Sequence, residues 1–149
     1  MADSLTALET WCAPLLAKLQ PAARRTLARA MANDLPRSQS GRIAQQQNPD
    51  GSAYAPRKPR IRDKKGRVRR QMFARLRTTK FLRAKSDQDS AAVEFTGRVA
   101  RLARVHQEGG EDRVAKGGPR VRYAKRKLLG YSSGDLRMVR DHLVKHLQP

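Results

Sequence analysis

Two histidines near the end of the chain have the spacing best suited to metal binding. His142 and His146 are four residues apart, so both side chains would lie on one face of a helix. A zinc site needs at least one more ligand at the same point, and neither a cysteine-rich segment nor a His-Glu-x-x-His string supplies it. We therefore interpret both histidines as structural or solvated residues, and we predict neither a metal nor a cofactor.

A second group of titratable residues surrounds His106. Glu108, Glu111 and Asp112 follow it closely, and such a group could contain a general base. Catalysis would also need a nucleophile or a pair of carboxylates held in a cleft, and the sequence indicates neither. We favour the alternative, in which His106 stands at a helix end and its ring binds carbonyls before Gly109-Gly110.

Glycines and serines are the remaining residues that could take part in catalysis. The pairs Gly109-Gly110 and Gly117-Gly118 lack the Gly-x-x-x-x-Gly-Lys-Ser/Thr string of a phosphate-binding loop. Ser132 and Ser133 precede a predicted helix, where serines are more often caps than nucleophiles. The sequence thus predicts no enzyme and no small-molecule substrate.

The strongest chemical signal is a run of positive charge. Between Arg57 and Lys85 there are fourteen Lys or Arg residues and a single acid, Asp63. Solvated surfaces usually mix charges of both signs, so a run of one sign predicts an interface. Its partner is either DNA phosphates or an acidic protein surface, and the sequence leaves both open. The predicted interface residues are Arg57, Lys58, Arg60, Arg62, Lys64, Lys65, Arg67, Arg69 and Arg70.

The composition of the whole chain predicts a small core with long polar excursions. Its 149 residues suffice for one domain, its net charge is +20, and 38% of the residues are hydrophobic while 31% are charged. This charge favours polyanionic or acidic partners and opposes self-association without them. Aromatic residues make up only 5%, which argues against a single-strand binder that stacks bases on aromatic rings.

The cysteine content and the hydropathy of the sequence indicate the cellular compartment of the protein. Cys12 is the one cysteine of the sequence, so a disulfide within the chain and a thiolate zinc site are both excluded. No apolar run approaches the ~20 residues of a membrane span, and the amino terminus lacks the pattern of a signal peptide. We therefore expect a protein that is made in the cytoplasm and has no membrane contact.

The elements that must position the basic run begin with helices. Apolar residues at three- and four-residue steps over 5–19 predict a first helix, and Pro21 opens a second one. We expect these two helices to pack as a hairpin. Asp34 and Pro36 predict either the start of a third helix, over residues 37–47, or a bend in the second.

A specific turn ends the helical part. In Asn48-Pro49-Asp50-Gly51, Pro49 fixes φ at the second position, Asp50 can bond its own backbone, and Gly51 accepts a positive φ. Residues 48–67 contain prolines, glycines and almost no apolar side chains. This composition predicts an extended basic loop or arm with little to bury.

Short helix and strand patterns alternate in residues 68–149. A short helix is predicted over 68–76, and residues 80–86 and 91–96 predict two strands joined by a turn. Another helix should begin near Val99 and stop at Gly109-Gly110.

The end of the chain completes the predicted architecture. Val121 and Tyr123 could add a third strand, and a terminal helix should start near Ser132 or Ser133 with an apolar face made by Leu136, Val139, Leu143 and Leu147. The predicted fold class is α+β in a single domain, residues 1–149. It comprises an amino-terminal helical hairpin (1–47), the arm (48–67) and a core (68–149) with helices packed on a small antiparallel sheet of three or four strands.

Several of these motifs occur together in one known family. Arg42-Ile43, followed by Gln47-Asn48-Pro49-Asp50-Gly51 and Pro56-Arg57-Lys58, resembles the signature of the phage virion morphogenesis family, the tail completion proteins of temperate contractile-tailed phages. The resemblance covers nearly the whole chain, because further motifs follow in the family's order: Met72-Phe73, Val93-Glu94-Phe95, Gly97, His106-Gln107-Glu108-Gly109 and Arg126-Lys127-Leu128-Leu129-Gly130.

The resemblance implies a structural virion protein rather than an enzyme. Such a protein would complete the tail as a terminator or neck component and promote the joining of head and tail. The resemblance further implies a homo-oligomer, a ring of six subunits, that contacts tail tube or sheath proteins and head-connector proteins, with DNA contact left open. Its location would be the host cytoplasm during assembly and then the tail–neck region of the virion. A sequence-independent nucleic-acid-binding protein is the alternative that the +20 charge supports.

Overall fold

Four helices and four short strands make up the part of the chain that the structure describes. A computed structural model describes residues 2–58 and 71–148. The elements in chain order are α1 (Ala2–Ala17), α2 (Pro21–Ala44), β1 (Leu82–Ser86), β2 (Ala91–Phe95), α3 (Val99–Glu108), β3 (Glu111–Arg113), β4 (Arg120–Arg122) and α4 (Ser133–Leu147). The α+β class and the amino-terminal helical pair are both confirmed.

Helix α2 is continuous from Pro21 to Ala44, so the predicted separate helix over residues 37–47 is wrong. Pro36 lies inside it and lacks the N–H that a helix interior normally uses, which costs about 3 kcal/mol in an unsupported helix. Leu35, Gln39 and Ile43 are buried around and beyond this point, and α2 packs on β1, β2 and α4. We attribute the continuity of the helix to this burial.

The strands form two separate two-stranded sheets among the described residues, not the predicted single sheet of three or four strands. Strands β1 and β2 are antiparallel, with Leu82 opposite Phe95 and a turn closed by the Asp87 N–H and the Ser90 carbonyl. Strand β4 pairs instead with β3, because the short connection between them brings Val121 opposite Asp112. Strands β3 and β4 therefore form a local hairpin with three residues in each strand, and β4 does not extend the sheet of β1 and β2.

The core lies between α2, α3 and three segments outside the helices and strands, which contain Tyr54, Leu76 and Leu128. Its buried side chains are Ile43, Tyr54, Leu76, Ala103 and Leu128, with Met72, Phe73, Phe95 and Val99 packed against them. Residues 72–77 form successive turns, so the predicted short helix is wrong over the part of 68–76 that the structure describes. Phe73 has a φ of 66°, which a right-handed helix cannot contain.

Two helix ends agree with their predicted chemistry. Helix α3 ends at Gly109, and α4 begins after Ser132. The Asp135 N–H donates to Ser132 Oγ at 3.1 Å, and the Ser132 N–H donates to Asp135 Oδ2 at 2.9 Å. This reciprocal pair is a capping box, which fixes the start of the helix.

Candidate functional site

The segment that leads into the basic run starts with a tight turn. The Gly51 N–H donates to the Asn48 carbonyl at 2.9 Å, and Gly51 has a φ of 88°. Asp50 Oδ1 accepts from the Ser52 N–H at 2.9 Å and from the Ser52 hydroxyl, and these bonds lower the pKa of Asp50. Pro49 lies against Gly130, where a side chain would come within 2.6 Å of Pro49 Cγ. The turn is thus built from its own polar groups and pressed onto a second segment.

Replacing Gly51 with valine should misplace this segment while the helices remain folded. A β-branched residue at a φ of 88° is strained by about 1–3 kcal/mol, although no neighbouring atom would obstruct the side chain. Gly51→Asn is the matched control, because asparagine tolerates the left-handed region and should cost less. Urea unfolding curves measure both losses, and equal stability of the valine variant and the wild type would contradict the strain.

The chain after the turn is packed, not extended into solvent. Tyr54 is buried, and its hydroxyl donates to the Lys127 carbonyl at 3.3 Å. Arg126 Nε donates to the Ala55 carbonyl at 2.7 Å, and its Nη2 donates to the Pro56 carbonyl at 2.9 Å. Residues 50–53 and 56 are exposed, as expected for a segment with little to bury, but the buried ring of Tyr54 and the bonds from Arg126 hold residues 54–56 against the core.

Arg57 and Lys58 emerge directly after this clamp, beside β4. Lys58 Nζ donates to the Arg122 carbonyl at 3.2 Å. Burial and, secondarily, the charge of Arg57 lower the pKa of Arg126, which places Arg57 close to that guanidinium. The other predicted interface residues lie outside the described residues; they are Arg60, Arg62, Lys64, Lys65, Arg67, Arg69 and Arg70.

The structure adds cations from a distant part of the sequence to Arg57 and Lys58. The β3–β4 hairpin and the strand-like segment after it expose further basic side chains, which together with Arg57 and Lys58 we call the basic surface: Arg113, Lys116, Arg120, Arg122, Lys125 and Lys127. Two acids lie next to it. Glu111 Oε1 is 4.0 Å from Arg122 Nε, and Asp112 Oδ1 forms an ion pair with Arg101 Nη2 at 2.5 Å. These residues were not predicted as part of an interface, although residues 120–127 contain five Lys or Arg and no acid.

Arg42 holds the segments behind the basic surface together. Its guanidinium is buried and donates to the carbonyls of Gln47 at 3.2 Å, Lys127 at 3.1 Å and Leu128 at 2.9 Å. It also donates to Gln39 Oε1 at 2.5 Å. One side chain of α2 therefore ties the start of the turn to the segment 126–130.

A buried acid extends this network into α4. Asp135 accepts hydrogen bonds from Ser38 and from Gln39 Nε2, the second at 3.2 Å. Burial alone would raise the pKa of Asp135, but the hydrogen bonds from Ser38, Ser132 and Gln39 lower it below its usual value. Asp135 is therefore a carboxylate at neutral pH and joins the first turn of α4 to α2.

Gln107 and His106 connect the same segment to α3. Gln107 Oε1 accepts from the Leu128 N–H at 2.8 Å and from the Leu129 N–H at 2.9 Å, while its Nε2 donates to the Leu129 carbonyl at 2.8 Å. The Arg126 N–H donates to the His106 carbonyl at 2.8 Å. These bonds fix residues 126–130 along the end of α3.

The ring of His106 is buried between aromatic rings. Its centroid lies 4.8 Å from that of Phe73 and 4.9 Å from that of Tyr123. Burial and, secondarily, the charge of Arg126 lower the pKa of His106 to about 4. His106 lies in the last turn of α3, as predicted, but the predicted binding of carbonyls by its ring is wrong, because the ring packs in this aromatic cluster.

The two histidines of α4 contact α2 and the turn that follows α1. His142 Nε2 lies 2.7 Å from Asp34 Oδ2, and His146 Nε2 lies 2.8 Å from the Lys18 carbonyl. Across residues 2–58 and 71–148, no group of three or more His, Cys, Asp or Glu side chains is arranged to hold a metal ion. Within those same residues, none of the helices has the length and apolar character needed to cross a membrane.

Several motifs that carry the family resemblance thus converge on one segment, because Arg42, the turn at 48–51 and His106-Gln107 each contact residues 126–130. The model of the phage virion morphogenesis family matches residues 3–148 of the chain. The chain belongs to this family. It is also 38% identical over 136 residues to the tail completion protein S of Escherichia phage P2, covering 90% of this chain and 91% of that protein. No solved structure matches it.

In this virion morphogenesis protein, four side chains behind the basic surface form what we call the frame: Arg42, Gln107, Arg126 and Asp135. Arg42, Gln107 and Arg126 each direct their polar atoms to main-chain groups. Frame residues of this kind set the position of a surface, and the surface they position here carries Arg57 and Lys58.

Proposed function

We propose that the protein completes the phage tail and promotes the joining of head and tail through its basic surface. The observation that carries this proposal is the clamp of Arg126 on the Ala55 and Pro56 carbonyls, which delivers Arg57 and Lys58 beside the exposed cations of β4. The name of the phage P2 relative supports tail completion as the task. On this proposal the protein acts in the tail–neck region of the virion after assembly in the host cytoplasm.

The work is adhesive rather than chemical. The buried polar side chains of the frame are engaged with backbone carbonyls, amides and one another, as Arg42 and Gln107 show. The exposed groups are mostly of one sign, which suits steering and register against an acidic partner. We propose a homo-oligomer, a closed ring of six subunits, that contacts tail tube or sheath proteins on one side and head-connector proteins on the other.

Sequence-independent DNA binding is the second candidate. The cations that β4 and residues 125–127 add to the basic surface favour it, because each phosphate neutralised contributes to affinity without base contacts. The two candidates differ in a simple measurement. Binding of the purified protein to duplex DNA with a steep dependence on salt concentration would support the second, and its absence would leave an acidic protein as the partner.

Reversing the charge of Arg57 and Lys58 should block the joining of heads and tails. In cells that produce the phage from a genome lacking this gene, the wild-type protein is supplied from a plasmid, or the double variant Arg57→Glu and Lys58→Glu replaces it. We expect filled heads and near-complete tails that remain unjoined, because like charges against an acidic partner cost several kcal/mol. Electron microscopy of the lysate counts the joined particles.

The matched control is the double variant Arg29→Glu and Arg37→Glu. It carries the same change in net charge on exposed positions of α2, away from the basic surface, and should give joined particles. Circular dichroism shows whether both proteins are folded. A normal number of joined particles from the Arg57→Glu and Lys58→Glu double variant would overturn the proposed role of the basic surface.

A further inference from the structure

Helix α1 and the turn after it carry apolar side chains that the other described residues, up to 58 and over 71–148, leave exposed. These side chains are between 41% and 75% exposed and recur at three- and four-residue steps, so they form one stripe: Leu5, Leu8, Trp11, Leu15, Leu16 and Leu19. A helix of 16 residues with Pro14 inside it is marginal in water without a surface to pack on. The stripe therefore indicates a missing partner surface.

Helix α4 has an exposed apolar face of its own. Its inner face turns Asp135, His142 and His146 toward α2 and the end of α1. The outward face, which we call the outer α4 face, follows the same helical spacing and is made of Leu136, Arg137, Arg140, Leu143, Val144 and Leu147. The apolar face predicted from sequence is thus mostly exposed, since its members Leu136, Leu143 and Leu147 are exposed, and arginines flank it.

The charges of these two surfaces are opposite. Residues 2–17 contain Asp3 and Glu9 and no Lys or Arg, whereas the remaining residues contain all 33 basic residues and 11 of the 13 acids. Glu9 is exposed at the edge of the stripe, four residues after Leu5. On the outer α4 face, Arg140 is exposed four residues after Leu136, so each surface combines leucines with a charge that complements the other.

We propose that the α1 stripe of one copy packs on the outer α4 face of a second copy, with Glu9 facing Arg140. Within one chain the two helices meet at their carboxyl ends, through His146 to the Lys18 carbonyl and Lys18 to the Gln148 carbonyl, and both apolar surfaces stay exposed. The contact joins two different surfaces, so it repeats from copy to copy. The inference rests on the self-association in the proposed function and names the surfaces that form it.

Local complementarity is what allows such a contact in a chain of net charge +20. An acidic helix placed on a basic one lowers the repulsion at the interface, while burial of the leucines supplies the attraction. The basic surface plays no part in this contact, because it lies on the β3–β4 hairpin, the segment after it and residues 57–58.

Sedimentation velocity of the full-length chain over a range of concentrations tests the inference by exchange of charge. Glu9→Arg and Arg140→Glu alone should each raise the dissociation constant of self-association by about tenfold or more. The double variant should restore it to near the wild-type value, since the pair is re-formed with its signs exchanged. Thr10→Arg, on the polar side of α1, is the control and should leave association unchanged.

Two results would overturn the inference. One is a folded wild-type chain that remains monomeric at every concentration, and failure of its Trp11→Glu variant in virion assembly would then show that the stripe binds a different virion protein. The other is a double variant that associates no more tightly than either single variant. Both leave the test of Arg57 and Lys58 untouched, so failure of this inference and failure of the proposed function are distinguishable.

Discussion

Replacing Arg42 with methionine is expected to lower the free energy of unfolding by about 3 kcal/mol or more. Methionine keeps the length and much of the volume of the side chain but donates no hydrogen bond. The carbonyls of Gln47, Lys127 and Leu128 would then lose a donor in a buried position. Urea unfolding followed by circular dichroism measures the loss.

The control for this substitution is Arg37→Met on the same helix. Arg37 is exposed, so its replacement should change stability by no more than about 0.5 kcal/mol. If both variants lost the same small amount, the guanidinium of Arg42 would not hold the turn to residues 126–130. If Arg42→Met failed to join heads and tails at a temperature where it remains folded, Arg42 would be shown to position the basic surface.

Stability should also fall as the pH drops from about 6.5 to 4, through His106. The pKa of His106 is lowered from 6.5 to about 4 in the fold, so the unfolded chain binds a proton first. Above pH 6.5 the imidazole is neutral in both states and costs no stability. Near pH 4 the free energy of unfolding is lower by about 3 kcal/mol. The pKa of Asp135 and that of Asp112 are lowered from 3.8, so their contributions are lost at more acidic pH.

The variant His106→Gln separates this effect from a general loss of stability. Glutamine does not titrate, so the slope of unfolding free energy against pH should flatten between about pH 6.5 and 4 even if the variant is less stable throughout. Urea unfolding at half-unit pH steps gives the two slopes. Parallel profiles for wild type and variant would show that His106 is not the group responsible.

The sequence predicted the elements whose signals are local. Strands β1 and β2 carry an alternating pattern around a turn, α3 stops at a glycine, and α4 begins at a serine that caps it. By contrast, β3 has three residues, too few for any periodicity, so its pairing with β4 was not predictable. The continuity of α2 through Pro36 depends on packing against elements that are distant in the sequence. The residues around the proline carry no signal of that packing.

The frame was less visible than the charge run it supports. Arginine and aspartate are usually exposed to solvent. The burial of Arg42 and Asp135 is therefore visible only in the three-dimensional structure. Tyr54 was one aromatic ring in a segment of prolines and basic residues, yet it anchors that segment to the core. The basic residues 57–58 and 120–127 are brought together by the bonds of Arg126 to the main chain before Arg57 and by the bond of Lys58 to the Arg122 carbonyl.

The exposed position of Trp11 gives the protein an intrinsic optical reporter. It is the single tryptophan of the sequence and is 75% exposed on α1. Selective excitation of its indole reports on one place in the molecule, without a label and with the three tyrosines dark. Because the indole is exposed in free protein, we expect its emission at long wavelength with quenching by acrylamide, and we expect a shift to shorter wavelength when the helix is covered. The time course of that shift measures when in assembly this helix leaves water.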